Sequence, residues 1–218
     1  MHLYDSYYNP KEHYEKQLDE IQNYILLNDK PEFEFEIFDA SLEYGLHWLR
    51  NSSDKMKGEI IAGSFMCNYF NGSIEYNDID IYFHSKEHAI LWCKINDIIL
   101  PISFVHSLCA TVYKNFKKYN LIIGVPFENA QDLVSKFDMR ACAIAYDPLN
   151  CKIISVKGAV SDCINKRIVF QTQAKAITVK RLVKYIEKGF SIHPYQRVMF
   201  VELLKTKSNI DQELLGGY

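Results

Sequence analysis

Three acidic residues and one glycine turn carry the chemistry legible in this chain. Asp78 and Asp80 flank Ile79 in Asn77-Asp78-Ile79-Asp80-Ile81-Tyr82-Phe83, a run that alternates polar and apolar residues. Alternation of that period predicts a strand with both carboxylates on one face, about 6–7 Å apart at their α-carbons. Like charges so close repel each other unless a cation sits between them. Hard oxygen ligands with no thiol or imidazole beside them favour magnesium. Upstream, Gly63-Ser64 closes the short apolar run Glu59-Ile60-Ile61-Ala62, and thirteen residues separate Ser64 from Asp78. A strand that turns through Gly-Ser into a helix offers backbone N–H groups and a hydroxyl to an anion. A divalent ion beside a phosphate cradle is the chemistry of a nucleoside triphosphate. The third carboxylate is Asp138, in Phe137-Asp138-Met139.

The elements that must position these residues follow from periodicity. Glu59–Ala62 reads as a buried strand, Phe65–Phe70 as the start of a helix, and Asn77–Phe83 as the aspartate strand. Ser85 can cap a helix carrying Ile90, Leu91, Ile95 and Ile98. Residues 102–125 read as strands, with Thr111–Tyr113 and Leu121–Ile123 facing each other across 115–120. Asn129–Lys136 reads as a short helix and Phe137–Tyr146 as a further strand. Asp147-Pro148-Leu149-Asn150 is a turn, with Cys151–Val156 returning as a hairpin partner. Helical spacing resumes after Thr172, through Ile177, Arg181, Lys184, Tyr185 and Lys188 to Gly189, and Pro194 opens a last helix. Towards the N-terminus, residues 10–28 and Ile37–Arg50 show helical spacing. The expected division is an N-terminal helical extension over 1–57, a core over 58–165 and a C-terminal helical region over 166–218.

Composition narrows the function classes. The chain has 218 residues, 48% hydrophobic and 24% charged, which excludes a disordered polyelectrolyte. Its 25 basic and 27 acidic residues leave a net charge of -2, so bulk charge alone does not hold it on nucleic acid. The six cysteines form no CxxC pair and no zinc spacing, and they read as reduced, packed thiols. The N-terminus is too polar for a signal peptide and no apolar run approaches a membrane span, so a cytoplasmic protein without membrane contact is expected. Lys175, Lys180, Arg181, Lys184 and Lys188 form a basic stripe, either a solvated face or a contact to triphosphate or nucleic-acid backbone. His84 and His88 have helical metal-ligand spacing but lack a third ligand, and they read as surface residues. Tyr4, Tyr7, Tyr8 and Tyr14 read as packing groups.

Gly63-Ser64, Asp78-x-Asp80 and the later Asp138 together resemble the pattern of the nucleotidyltransferase superfamily, the DNA polymerase beta-like fold. Asp138-Met139-Arg140-Ala141-Cys142-Ala143-Ile144-Ala145-Tyr146-Asp147-Pro148 is similar to the "RRDFTINALAYDP" segment of tRNA CCA-adding enzymes and bacterial poly(A) polymerases. Lys180–Tyr185 with Lys188–Ile192 resembles their "RxxRFxxxxGFxI" segment. Lys136-Phe137 stands where those enzymes have paired arginines, and Cys142 where they have asparagine. Their long C-terminal tRNA-binding region has no counterpart after Ile192, so a compact relative is expected. The resemblance implies an α+β fold, a mixed sheet flanked by helices. It implies NMP transfer from an NTP such as ATP to an acceptor hydroxyl, an RNA or tRNA 3′ end being favoured, with pyrophosphate released. It further implies that Asp78, Asp80 and Asp138 hold Mg2+, or Mn2+ in its place, and that Asp138 draws the acceptor's proton. Gly63, Ser64, Lys180, Arg181 and Lys184 would bind the nucleotide. The alternative is a catalytically inactive nucleotide-binding or regulatory module of the same fold.

Overall fold

A computed structural model describes residues 33–41, 46, 58–73, 78–101, 107–171, 177–193, 196 and 197. Residues 33–192 make one compact unit, which holds every element named below. The expected helix over 10–28 lies outside the described residues, as does the last helix apart from Gln196 and Arg197.

The unit is built on a seven-stranded mixed sheet. In chain order its strands are β1 (Phe35–Asp39), β2 (Ile60–Ala62), β3 (Ile79–Tyr82), β4 (Cys109–Lys114), β5 (Lys117–Ile122), β6 (Ile144–Asp147) and β7 (Lys152–Val156). Their order across the sheet is β1-β7-β6-β2-β3-β5-β4, and β3 with β5 is its parallel pair. Helix α1 (Ser64–Phe70) follows β2 and α2 (Lys86–Ile95) follows β3. Then come α3 (Ala130–Ser135), a 3-10 turn at Arg140–Cys142, α4 (Ala159–Ile164) and α5 (Ile177–Glu187). Two short strands, β8 (Arg167–Ile168) and β9 (Ser191–Ile192), pair in parallel beyond the main sheet.

The caps follow their chemistry. Ser85 accepts a hydrogen bond from the His88 backbone N–H, and Asn129 accepts one from Asp132. Each thereby satisfies a first-turn donor that has no carbonyl inside its helix. The β4–β5 hairpin turns on Asn115 and Phe116, with φ 50° and 62°. Two left-handed residues match the right-handed twist of the strands. The loop is therefore two residues long, and residues 117–120, expected in it, extend β5.

Two expectations are corrected. Phe35–Asp39 is a strand paired with Lys152–Val156, so the helix expected from Ile37 does not begin there. Backbone pairing to a strand over a hundred residues away overrides the helical spacing at Ile37 and Phe38. The strand expected over Phe137–Tyr146 is confined to Ile144–Asp147. Before it, Met139 makes a lone bridge to Phe170 and the chain coils through Arg140–Cys142. Arg140 fixes that coil: its Nε lies 2.6 Å from Asp162, which has no exposed surface, and Arg167 lies 3.3 Å from the same carboxylate. Its backbone N–H also donates to the Val169 carbonyl at 2.8 Å.

The sheet has two unlike faces. Ile61, Ile81, Leu121 and Ala110 stand in register on one, near Trp92 of α2, whose ring lies 5.7 Å from Tyr119. Ala62, Asp80, Asn120 and Thr111 stand in register on the other. On β4 the second face is open: Cys109, Thr111 and Tyr113 are exposed while Ala110 and Val112 are buried.

Candidate active site

The open face gathers the acidic pair. Asn120, level with Asp80 on the parallel neighbour β5, places its side-chain amide between the two carboxylates. Its Nδ2 donates to Asp80 Oδ1 at 2.8 Å and to Asp78 Oδ2 at 3.0 Å. Its Oδ1 accepts from the Thr111 hydroxyl at 2.9 Å, which orients the amide. Lys118 Nζ stands 3.6 Å from Asp78 Oδ2. Burial pushes the Asp80 carboxyl above its ordinary value, and Asp78 adds to the rise. Asn120, Arg181 and Lys184 work the other way.

Gly63 stands beside this pair at a turn that strains any other residue. It has φ 86° and ψ −138°, a backbone region that L side chains rarely adopt. A Cβ there would meet Asp80 Oδ2 and the Phe137 ring, each at 3.4 Å. Its own N–H reaches the Ile144 carbonyl at 3.3 Å, so that donor serves the sheet. Ser64, at the first position of α1, is half-buried.

Asp138 faces helix α5. Its Oδ1 accepts from its neighbour Met139 N–H at 2.9 Å and pairs with Arg181 Nη1 at 2.8 Å. Arg181 thus touches Asp138 and acts electrostatically on Asp80, and Lys184, one turn on, also acts on Asp80. The side chain of Lys180 lies outside the described residues. Beneath Arg181, the Tyr185 hydroxyl and Cys142 Sγ are 2.9 Å apart, and burial pushes both groups up. Cys142, the departure from the asparagine of the similar segment, thus contacts α5. Burial also raises Tyr82, whose ring packs edge-on against Phe137, 6.0 Å between centroids.

Among the described residues no three acidic, histidine or cysteine side chains gather closely enough to hold a metal ion. The Asp78–Asp80 pair nonetheless suits a divalent cation, because its hard oxygens repel and one of its carboxyls is held up by burial. Asp138 is instead matched by a guanidinium. Sequence reasoning missed Asn120, Thr111 and Lys118; the signal available was a polar alternation, Lys118 and Asn120, in an otherwise strand-like run.

The fold is nucleotidyltransferase-like, and solved structures agree on it. A CCA-adding enzyme with CTP superposes with a TM-score of 0.59 at 15% identity, over 82% of this chain and 47% of that one. The Thermotoga maritima CCA-adding enzyme complexed with tRNA gives 0.56 at 14% identity, over 78% and 45%. The Bacillus stearothermophilus enzyme with CTP gives 0.53 at 17% identity, over 71% and 42%. The chain spans less than half the length of these enzymes. No curated protein matches the sequence. Residues 32–173 match the sequence model of the Gabija anti-defense 2 family, and the chain belongs to that family.

Proposed function

We propose that this protein is a metal-dependent nucleotidyltransferase that moves NMP from an NTP to an acceptor hydroxyl, and that it serves the anti-defense role of its family through that activity. The observation that carries the reading is the Asp78–Asp80 pair, bridged by Asn120 and set beside the Gly63 turn, where an added Cβ would stand 3.4 Å from Asp80 Oδ2. Held by Asp78 and Asp80, Mg2+ (or Mn2+) would neutralise the triphosphate and polarise its α-phosphorus. Ser64 would donate to the β and γ phosphates from the start of α1. Lys184 and Lys180 would add positive charge from α5. Arg181 would turn from Asp138 towards the incoming phosphates, because a triphosphate outcompetes one carboxylate for a guanidinium. Asp138, released, would take the acceptor hydroxyl's proton as that oxygen attacks the α-phosphorus. The bond to the β-phosphate oxygen breaks and pyrophosphate leaves. An RNA or tRNA 3′ end is the acceptor favoured by the likeness to CCA-adding enzymes.

The test is transfer of label from each α-labelled NTP to total RNA in the presence of Mg2+. Expected is transfer that drops by about a hundredfold or more in Asp78→Ala/Asp80→Ala, as loss of charge-stabilising groups costs elsewhere. Absence of transfer, or transfer undiminished in the variant, refutes the reading. A second reading, a nucleotide-binding module without turnover, is favoured by the Asp138–Arg181 pair, which occupies the third carboxylate. Magnesium-dependent NTP binding without product supports it.

A further inference from the structure

The opposite face of the sheet holds a cavity of about 230 Å³. It lies away from the aspartate site: Ile61, Ile81 and Tyr119 line it, and along their strands they alternate with Ala62, Asp80 and Asn120. Glu59, which precedes β2, is in its wall. Only 4% of Glu59 is exposed, yet among the described residues neither carboxyl oxygen has a hydrogen-bond partner. Buried polar groups are otherwise paired almost without exception, so two vacant acceptors on a residue of the cavity wall call for donors. A carboxylate takes two parallel N–H bonds from a planar fork better than from any other group. The wall beside it supplies aromatic faces, Trp92 and Tyr119, suited to a flat ligand. Lys114 also lines the cavity and donates to the neutral Asn96 Oδ1 at 3.3 Å. Its positive charge suits an anionic end on the same ligand.

We propose that this cavity is a second binding site, for a compact molecule with two adjacent N–H donors on a planar group at one end and an anion at the other. Guanine nucleotides and small guanidino acids share that chemistry. The site is independent of the nucleotidyl-transfer reading, since it lies on the other face and needs no metal.

Calorimetric titration of the full chain with GMP and with 4-guanidinobutyrate, in EDTA, tests it. At least one binds, and which one identifies the source. If GMP binds, IMP, which lacks the second donor, binds at least about tenfold more weakly. Glu59→Gln weakens binding by a similar factor. Lys114→Gln, at the rim, erases any preference for GMP over guanosine and keeps the test open should the Glu59 variant fail to fold. Asp78→Asn/Asp80→Asn leaves binding unchanged. The proposal is overturned if neither probe binds at millimolar concentration, or if IMP equals GMP. It is equally overturned if Glu59→Gln folds and binds as the wild type does, or if the aspartate variant abolishes binding.

Discussion

Replacing Glu59 with glutamine should make the protein weaker in acid and no weaker, or stronger, in mild base. Burial pushes the Glu59 carboxyl from its ordinary 4.5 up to about 7, and Asp147 adds to the rise against the opposing pull of Glu59's own backbone. Lys114, in the same cavity wall, donates to Asn96. In the unfolded chain the carboxyl ionises near 4.5. Between pH 4.5 and 7 the native state therefore keeps a proton that the unfolded state has lost. Folding stability must fall across that window, by at most about 1.4 kcal/mol per pH unit. The stability is whole below pH 4.5 and lost as pH rises through 7, a total of about 3 kcal/mol. Glutamine does not titrate, but its amide in the same cavity costs about 1–3 kcal/mol unless it finds a partner. Urea unfolding of both proteins from pH 4.5 to 8 gives the difference directly, since all other titrating groups cancel. That difference should swing by about 3 kcal/mol towards the variant as pH rises. Parallel curves with a constant offset refute the reasoning, because they mean that Glu59 ionises as an ordinary carboxyl.

Three further outcomes are expected. Gly63→Ala forces a side chain into φ 86° against Asp80 and Phe137, which should cost about 1–3 kcal/mol in urea unfolding and more than tenfold in Mg-NTP affinity; unchanged values for both show that the turn is not constrained. Asp162→Ala strips Arg140 and Arg167 of their fully buried partner and should destabilise the fold by about 3–5 kcal/mol, read by the same denaturation. Mg2+ at a hundred times its dissociation constant should stabilise the wild type by about 2.7 kcal/mol and leave Asp78→Asn/Asp80→Asn unmoved in a thermal melt; an equal shift in both places the ion elsewhere.

The aspartate site was legible because its signal is local. Asp78 and Asp80 sit two apart in an alternating run, and Gly63 ends a run that only a turn can end; both patterns come from one strand's own geometry. Asn120 was not legible, since its place between the carboxylates depends on the parallel register of β3 against β5, set by strands forty residues apart. The same holds for β1, whose Phe38 reads as helical until pairing with β7 overrides it. Asp138–Ala143 reads as a strand by composition, and it coils because Arg140 is drawn to Asp162 on a helix the sequence did not announce. Glu59 looked like the polar start of a buried strand, and nothing in its neighbours marks the cavity it faces.

Strand order also dictates when the molecule becomes competent during its own synthesis. β2 lies between β3 and β6, and β6 lies between β2 and β7, whose other neighbour is β1. The ribosome delivers Gly63, Asp78 and Asp80 long before Ile144–Val156, so the aspartate hairpin must wait with one flank bare. β1 waits longest, holding its edge open until its partner emerges more than a hundred residues later. A nascent chain halted short of residue 144 thus carries both acids of the pair and none of the strands that flank β2 on that side, and its exposed strand edges invite pairing with whatever chain is near.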